Sequence, residues 1–574
     1  MVAAMPPFMS SLANRLTLAD VVARHGAVRV AVVAVFHLAA LALLILTEVD
    51  VVARTLYLLV WGLLNFFWLA LLRRPVLSAA FSLSVIVLLI ALSRFKSNNL
   101  WTTLSFVDIM IIDADTIAFL FSTFPRLRLA ALAGAVLAIP AVILLWYFDP
   151  FRIRRKVSAL ASAGCFAGII GLSMLVPEEP WEIFRGDNYV SKFVRSGVTA
   201  ASYLMTHGWF DANVTLSERL KLSANETCQP ERRPPHIIMV LDESSFDIRA
   251  VPGMRVPEGY GPHFRSYDGK QRALLVEGSG GPTWYTEYNV LTGLSARSFG
   301  YFAYFLTRIA GGRVQRGLPQ ALRRCGYKTV TLYPAFGAFL GARVFQRTTG
   351  IDRFMDAAEF GADGFQPDRF YYDATLRLIE HGRAKAPLFI LTYLTANHFP
   401  WYTRFRADLT PDWRDPGNAS SEIDEFIRRQ VMSAGDYANF LARLRRDFPD
   451  ESFLIVRFGD HQPHIVTPLI VPGLDDAAIG ERIMRYDPRY FTAYYAIDAV
   501  NFRPVDVGSA LDPLDAPYLP LVVLEAAGLP LDPTFAEQKR ILRRCNGLFY
   551  ACGNGAEARR FNRLLIDAGL VKGL

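Results

Sequence analysis

The sequence predicts an α-helical membrane domain of five spans followed by an α/β domain outside the membrane. Three observations lead to this fold class. The 574 residues are 52% hydrophobic and include 41 Phe, which is too apolar a composition for one water-soluble domain. The apolar runs are concentrated before residue 176. Beyond that residue, strand-like and helix-like segments alternate with regular glycine, proline and charge, as in an α/β fold.

Five apolar runs have the length of about 20 residues that is needed to cross a bilayer. They cover 27–47, 55–72, 77–93, 129–147 and 157–176. The run from Trp101 to Phe121 is not counted, because a carboxylate at mid-bilayer is costly and this run contains Asp108, Asp113 and Asp115. We therefore predict an interfacial or re-entrant segment near 101–121.

Basic residues in short loops predict the orientation of the spans. These residues are Arg73, Arg74, Arg152, Arg154, Arg155 and Lys156. Five spans with a cytoplasmic N-terminus put both loops on the cytoplasmic side, so the chain after residue 176 is outside. The first apolar run has no convincing cleavage pattern and is expected to remain as an anchor. The net charge of +8 comes partly from these loops, so it predicts attraction to anionic lipid and no nucleic-acid partner.

Between the spans and the α/β domain, residues 177–233 predict a connector. Aromatic side chains spread among charges suit either a surface-lying amphipathic segment or an ordinary packed helix. A polar, proline-rich stretch at its end marks a domain boundary. The predicted domains are therefore 1–176, 177–233 and 234–574.

The cysteines bear on the compartment. One of the five, Cys165, lies in a span, and the other four lie in the soluble half. An even number there suits an oxidising compartment. Cys545 and Cys552 form the natural local pair, which leaves Cys228 for Cys325. Four free buried thiols are the alternative.

Three strand-like runs end in polar residues of the types that bind metals or transfer protons. His236–Leu241 leads to Asp242-Glu243, Pro387–Leu394 to Asn397-His398, and Phe453–Phe458 to Gly459-Asp460-His461. Continuous apolar runs of this kind are typical of buried parallel strands. Because parallel strands direct their carboxyl ends to one edge of a sheet, these polar side chains are expected to lie together. The other predicted elements are a strand over 329–333 and helices over 316–324, 371–381, 421–448 and 556–568.

The stretch Gly280-Gly281-Pro282-Thr283 presents a threonine hydroxyl at the start of a predicted helix, where an anionic partner is favoured. A simple helix cap is the alternative explanation for this threonine. The predicted metal ligands are Glu243, Asp460, His461 and Thr283. Two carboxylates and an imidazole suit Mn²⁺, Zn²⁺ or Mg²⁺, and a bound cation would make Thr283 a nucleophile. His398 is predicted to act on a phosphoryl oxygen or to transfer a proton.

With these motifs the chain resembles the membrane-anchored phosphoglycerol transferases of the alkaline phosphatase superfamily, which include lipoteichoic acid synthases and a periplasmic glucan-modifying enzyme. The resemblance depends on Glu243 in Leu-Asp-Glu-Ser, Thr283 in Gly-x-Thr-x-x-x-Glu, and the Asn-His-x-Pro and Gly-Asp-His motifs at 397–400 and 459–461. It implies an alkaline phosphatase-like, or sulfatase-like, catalytic domain in the periplasm, anchored in the bacterial inner membrane.

The resemblance also implies the reaction. Phosphoglycerol would pass from phosphatidylglycerol through a phospho-threonine to a hydroxyl of a glycan or glycolipid, with Mn²⁺ as the expected metal and Zn²⁺ or Mg²⁺ as alternatives. Two other functions remain open. One is a phosphoethanolamine transferase acting on lipid A or a glycan. The other is a non-catalytic membrane receptor or transporter subunit that keeps the fold.

The chain departs from the family pattern at several positions. The Trp-Asn-Arg substrate motif falls on Gly341-Ala342-Arg343, so only Arg343 is retained as a predicted substrate contact, together with His398. Pro282 is unusual beside the nucleophile. No cysteine has the Cys-x-Pro-x-Arg context that sulfatases need, which argues against sulfate ester hydrolysis. His464 either reaches a second metal or packs in the domain.

Overall fold

The computed structural model describes residues 26–149, 153–212, 214–220, 228–230 and 232–574. The basic residue Arg152 and parts of the predicted connector lie outside the described residues. Contacts divide the chain into two units. The first comprises residues up to 98, 102–106 and 126–199, and the second comprises 99–101, 107–125 and 200–574.

Among the described residues, five helices have the length and apolar composition to cross a membrane, which confirms the five predicted spans. In the described part of the chain before residue 176, the α-helices are α1 (Ala27–Thr47), α2 (Val51–Leu72), α3 (Pro75–Leu100), α4 (Ala114–Thr123), α5 (Pro125–Phe148) and α6 (Arg155–Leu175). All except α4 are candidate spans. Helix α2 starts earlier than predicted because the Asp50 side chain caps it by accepting a hydrogen bond from the Ala53 N–H at 2.8 Å.

The segment between α3 and α5 contains only short elements. A 3₁₀ helix covers Phe106–Ile111 and is followed by α4, which has 10 residues. At 1.5 Å per residue, α4 is about 15 Å long, half the hydrocarbon thickness of a bilayer. The predicted connector contains a further helix, α7 (Tyr189–His207).

The second unit is built on an eight-stranded sheet with the order β4-β3-β5-β1-β6-β7-β2-β8. The strands are β1 (His236–Asp242), β2 (Arg272–Leu275), β3 (Lys328–Leu332), β4 (Arg353–Met355), β5 (Leu388–Tyr393), β6 (Phe453–Gly459), β7 (Thr492–Val500) and β8 (Leu514–Asp515). The five strands from β4 to β6 in this order are parallel. Strand β7 runs antiparallel to both β6 and β2. The α/β fold class is confirmed.

Helices surround this sheet. They are α8 (Thr283–Thr292), α9 (Leu306–Ala310), α10 (Leu318–Arg324), α11 (Ala342–Thr348), α12 (Ala357–Phe360), α13 (Asp368–Gly382), α14 (Ser421–Asp447), α15 (Thr467–Ile470), α16 (Asp476–Met484), α17 (Leu519–Ala526), α18 (Pro533–Cys545) and α19 (Ala556–Asp567). The predicted helices over 316–324, 371–381, 421–448 and 556–568 correspond to α10, α13, α14 and α19.

Strand β1 is the centre of the hydrophobic core. Its side chains alternate between the two faces of the sheet, as the strand geometry requires. Ile237 and Met239 belong to one apolar cluster, whereas Ile238 and Val240 belong to the cluster on the other face. All seven residues of β1 are buried, which explains why the strand is a continuous apolar run in the sequence.

Both predicted disulfides are present. Cys228 is bonded to Cys325 over a sequence separation of 97, and Cys545 to Cys552 over a separation of 7. Cys165, in α6, is a free thiol. The long bridge ties Cys228, which precedes β1, to the end of α10, and the short one closes a loop after α18.

The two disulfides are expected to stabilise the protein unequally, because a cross-link restricts the unfolded chain more when it closes a longer loop. In the chain-entropy description, the Cys228–Cys325 bridge contributes about 2 kcal/mol more than the Cys545–Cys552 bridge. We therefore expect Cys228→Ser/Cys325→Ser to lower the Tm of the full protein in detergent further than Cys545→Ser/Cys552→Ser does. Scanning calorimetry measures both. Equal shifts would contradict this account.

Candidate active site

The pairing of β1 with β6 brings the two predicted metal-binding motifs together. In the parallel register Asp242 is opposite Gly459, so both strands end at the same level of the sheet. The next residues along the chain are Glu243 after β1 and Asp460-His461 after β6. Their side chains therefore emerge side by side at the carboxyl edge of the sheet, as predicted from the strand ends.

The backbone at this edge is packed so closely that glycine is required. A Cβ added at Gly459 would lie 1.8 Å from the carbonyl oxygen of Ser245. The turn after β1 also contains Ser244 at a φ of 51°, and its N–H donates to Asp460 Oδ1 at 2.7 Å. The turn after β1 thus fixes the carboxylate supplied by β6.

Thr283 is the first residue of α8, and Pro282 occupies the N-cap position. The Thr283 hydroxyl donates to Glu243 Oε2 at 3.3 Å and lies 3.4 Å from His461 Nε2. No side chain caps α8. The helix-cap explanation for Thr283 is therefore wrong, because its hydroxyl faces the acidic cluster.

Glu243, Asp460 and His461 form a buried cluster whose candidate ligand atoms all lie within 4.8 Å of one another. Asp460 Oδ2 is buried and, among the described residues, has no hydrogen-bond partner, although His461 Nε2 lies 3.2 Å away. Burying two carboxylates against each other is costly unless a positive charge joins them. Two hard oxygen donors, an imidazole and the Thr283 hydroxyl fit one divalent cation.

The pKa values of the cluster also indicate that its two carboxylates are stabilised by positive charge. Burial and the Glu243 carboxylate raise the pKa of Asp460. Burial alone would lower the pKa of His461, but the charges of Asp460 and Glu243 raise it instead. Without a cation, protons on these groups balance the charge, so cation binding is expected to release protons.

His398 and His464 lie near this cluster without joining it. The His398 ring stacks on Phe365 with 4.3 Å between ring centroids, and its Nδ1 lies 2.7 Å from the Phe399 carbonyl oxygen. Burial lowers the pKa of His398, although the Glu243 carboxylate opposes the shift. Burial and the charge of His461 lower the pKa of His464 to about 4. Both imidazoles are therefore neutral at pH 7.

Arg343 is bound to acidic side chains of its own neighbourhood. Its guanidinium is 2.6 Å from Asp356 and 3.5 Å from Glu359, and it also donates to the Phe354 carbonyl at 3.1 Å. A role in substrate binding remains a prediction. A substrate anion there would compete with the Asp356 carboxylate for the guanidinium.

Two contacts at the site were not predicted from the sequence. Leu100, the last residue of α3, packs on Gly281, where an added Cβ would lie 2.9 Å from Leu100 Cδ2. Asp368 is buried at the start of α13, and its Oδ1 accepts from the Ala396 N–H at 3.1 Å, just before His398. Both contacts join segments that are far apart in the chain, so no local pattern indicates them.

The metal hypothesis predicts the effect of Asp460→Asn. Asparagine keeps the shape and one oxygen but removes the charge, so the Kd for Mn²⁺ should rise by at least about tenfold, the cost measured for weaker outer contacts at metal sites. Isothermal titration calorimetry of the full protein in detergent measures this Kd. Asp475→Asn is the matched control, since Asp475 is an exposed N-cap that asparagine can replace. Unchanged affinity in Asp460→Asn would exclude Asp460 as a ligand.

The buried carboxyl group of Asp368 is expected to make the stability of the protein depend on pH. Burial and the Asp242 carboxylate raise the pKa of Asp368 to about 8 in the folded protein. A carboxyl with a raised folded pKa stabilises the fold at low pH, and this contribution is lost as pH rises from about 4 to 8, by about 1 kcal/mol per pH unit. Asp368→Asn should remove this part of the decline in Tm. Parallel Tm curves for the variant and the wild type between pH 5 and 8 would contradict the assignment.

A protein-family model described as Sulfatase matches residues 270–490. No curated protein is significantly similar to the chain in sequence. Similar solved structures include the Streptococcus pyogenes phosphoglycerol transferase GacH in complex with sn-glycerol-1-phosphate, with 15% identity over 59% of this chain and 87% of that chain and a TM-score of 0.46.

Two further solved structures are similar. The Listeria monocytogenes lipoteichoic acid synthase LtaP has 17% identity over 55% of this chain and 77% of that chain, with a TM-score of 0.41. The Neisseria meningitidis lipooligosaccharide phosphoethanolamine transferase EptA, an integral membrane protein, has 12% identity over 84% and 96%, with a TM-score of 0.44. The sulfatase family model matches residues within the α/β part of the chain.

Proposed function

We propose that this protein is a metal-dependent phosphotransferase that moves phosphoglycerol from phosphatidylglycerol to a hydroxyl of a glycan or glycolipid. The observation that carries the proposal is the Thr283 hydroxyl, which begins α8 and faces the buried cluster of Glu243, Asp460 and His461. A hydroxyl beside a cation site at a helix N-terminus is suited to attack on phosphorus.

Glu243, Asp460, His461 and Thr283 would hold the cation, with Mn²⁺ as the first candidate and Zn²⁺ or Mg²⁺ as alternatives. When bound, the cation lowers the pKa of a coordinated hydroxyl and stabilises negative charge on phosphoryl oxygens.

In the first step, Thr283 Oγ1 bonds to the phosphorus of the donor, and the bond from phosphorus to the diacylglycerol oxygen breaks. Phosphoglycerol remains on Thr283, and the hydroxyl proton passes in net terms to the diacylglycerol that leaves. In the second step, an acceptor hydroxyl bonds to phosphorus, and the released Thr283 oxygen regains a proton. The nucleophile is thereby restored.

His398 is the proposed proton carrier. Its Nδ1 faces the Phe399 carbonyl oxygen at 2.7 Å, and this geometry puts the proton on Nδ1. Neutral His398 then has Nε2 free to accept the proton of the entering acceptor hydroxyl. Arg343 is the proposed contact to the donor phosphate once it leaves Asp356.

The cysteines support transfer over sulfate ester hydrolysis. The four cysteines of the soluble half are all in disulfides, and the fifth, Cys165, lies in the apolar helix α6. The side chain that faces the acidic cluster is a threonine. A membrane anchor also suits a lipid donor, because confinement to one surface raises the effective concentration of the donor. We place the catalytic domain on the periplasmic side of a bacterial inner membrane.

Intact-mass spectrometry tests the proposal. Full-length protein in detergent, incubated with Mn²⁺ and phosphatidylglycerol, should gain a phosphoglycerol adduct that maps to Thr283. Thr283→Ala should give no adduct and lower diacylglycerol release by about a millionfold, as loss of a nucleophile does elsewhere. Thr283→Ser is the control that keeps a hydroxyl and should still be labelled.

Parallel incubation with phosphatidylethanolamine separates the two transferase functions. A phosphoethanolamine adduct on Thr283, with none from phosphatidylglycerol, would replace the proposed donor while keeping the mechanism. Failure of both lipids to label the wild-type protein in the presence of Mn²⁺, Zn²⁺ or Mg²⁺ would overturn the phosphotransferase assignment.

A further inference from the structure

Arg297 is held in an unusual environment for an arginine. Within the part of the chain that the structure describes, no carboxylate forms an ion pair with it, and its Nε is buried without a hydrogen-bond partner. The guanidinium instead lies over two aromatic rings, 3.5 Å from the centroid of Tyr486 and 4.3 Å from that of Tyr550. By contrast, Arg343 and Arg429 both have carboxylate partners.

A third ring extends this arrangement. Phe491 stacks on Tyr486 with 5.0 Å between centroids and an interplanar angle of 28°. We call Arg297, Tyr486, Tyr550 and Phe491 the aromatic clamp. Tyr550 lies in the loop that the Cys545–Cys552 disulfide closes, so the disulfide restricts the position of the Tyr550 ring. Arg297, Tyr486 and Tyr550 are all partly exposed.

The aromatic clamp is attached to the metal-binding edge of the sheet. Gln462 directly follows the predicted ligand His461, and its amide donates to the carbonyls of Arg489 at 2.9 Å and Thr492 at 2.8 Å. These two residues flank Phe491. The clamp therefore lies beside the chain segment that supplies two of the proposed metal ligands.

A second connection leads to the nucleophile. Glu277 lies in the loop between β2 and α8, six residues before Thr283, and its Oε2 accepts from the Ala296 N–H at 2.6 Å and from Asn289 Nδ2 at 2.7 Å. Its other oxygen accepts from Ser295 Oγ. Both oxygens of the Glu277 carboxylate thus accept hydrogen bonds from neighbouring groups, and Glu277 forms no ion pair with Arg297 among the described residues. These hydrogen bonds tie Ser295 and Ala296, which directly precede Arg297, to the loop that ends at Thr283.

We propose that Arg297 binds a second phosphate group beside Thr283, separate from the phosphoryl group being transferred. Aromatic rings on the faces of a guanidinium leave its N–H edge to bind a phosphate in bidentate fashion. The phosphate belongs either to a phosphorylated glycan acceptor or to an anionic lipid headgroup. The proposal extends the proposed function by giving the acceptor side an anion site, but the binding itself needs no catalysis.

Equilibrium binding to the full-length Thr283→Ala protein in detergent tests this site. EDTA is present, so that the cation site makes a smaller contribution. The probes are glucose 6-phosphate with glucose as its neutral match, and micelles with or without phosphatidylglycerol. We expect one phosphorylated probe to bind, and Arg297→Gln to raise its Kd by about tenfold or more, the usual effect of losing a charged hydrogen bond. The probe that responds identifies the source of the phosphate.

Arg482→Gln is the matched control, because it removes one positive charge four residues from Tyr486 at a side chain that is paired with Asp487 at 3.1 Å. It should leave the Kd within about twofold. Equal Kd values in Arg297→Gln and its parent, or equal weakening in Arg297→Gln and Arg482→Gln, would overturn the proposal. So would the absence of binding by either phosphorylated probe.

Tyr550→Leu provides a second variant that keeps Arg297 and removes one face of the aromatic clamp. It should raise the Kd of the same probe by a smaller factor, about threefold, in line with the modest energy of a cation–π contact. Labelling of Thr283 by phosphatidylglycerol in the Arg297→Gln single variant separates the two ideas. If Arg297→Gln is labelled but the phosphorylated probe no longer binds, the proposed function stands and the defect lies in the second phosphate site. If the Thr283→Ala protein binds the probe but the wild-type protein is never labelled, only the second phosphate site is supported.

Discussion

The contact between Gly459 and the Ser245 carbonyl is the constraint on which the candidate active site depends. Any side chain at position 459 would collide with that oxygen, because even a Cβ would lie 1.8 Å from it. The close approach lets the turn after β1 reach the turn after β6, where the Ser244 N–H binds Asp460 Oδ1. Two carboxylates that repel each other are thereby held at one edge by backbone geometry. Protons on Asp460 and His461 offset this repulsion until a cation replaces them.

The position of Thr283 follows from a different set of constraints. Pro282 ends the glycine-rich loop and fixes the start of α8, so the threonine is the first helical residue and its hydroxyl lies outside the hydrogen-bond pattern of the helix. Gly281 is held small by Leu100, and Gly280 adopts a φ of 78° that a side chain would disfavour. The Gly-Gly-Pro sequence is therefore explained by packing and backbone geometry, and the hydroxyl is free to face Glu243.

Local sequence patterns were sufficient to predict those elements whose structure is determined within a single segment of the chain. The strands β1, β5 and β6, the residues at their ends and the five apolar helices each have a pattern of their own. Strands β4 and β8 have three and two residues, too few to form a pattern, and β7 lies at the antiparallel end of the sheet, which has no turn signal linking it to β6. The contacts of Asp368 and Leu100 arise only after distant segments pack.

The two arginines near the site illustrate why motif matching and structure point to different residues. Arg343 occupies the position that the family resemblance favours, yet its charge is largely neutralised by Asp356 and Glu359. Anion binding there must compete with a carboxylate at 2.6 Å. Arg297 matches no motif and forms no ion pair among the described residues, and a guanidinium without an ion-pair partner attracts a phosphate more strongly than a paired one. Recognition of an anionic substrate is therefore expected to depend on the aromatic clamp first and on Arg343 only after its ion pair opens.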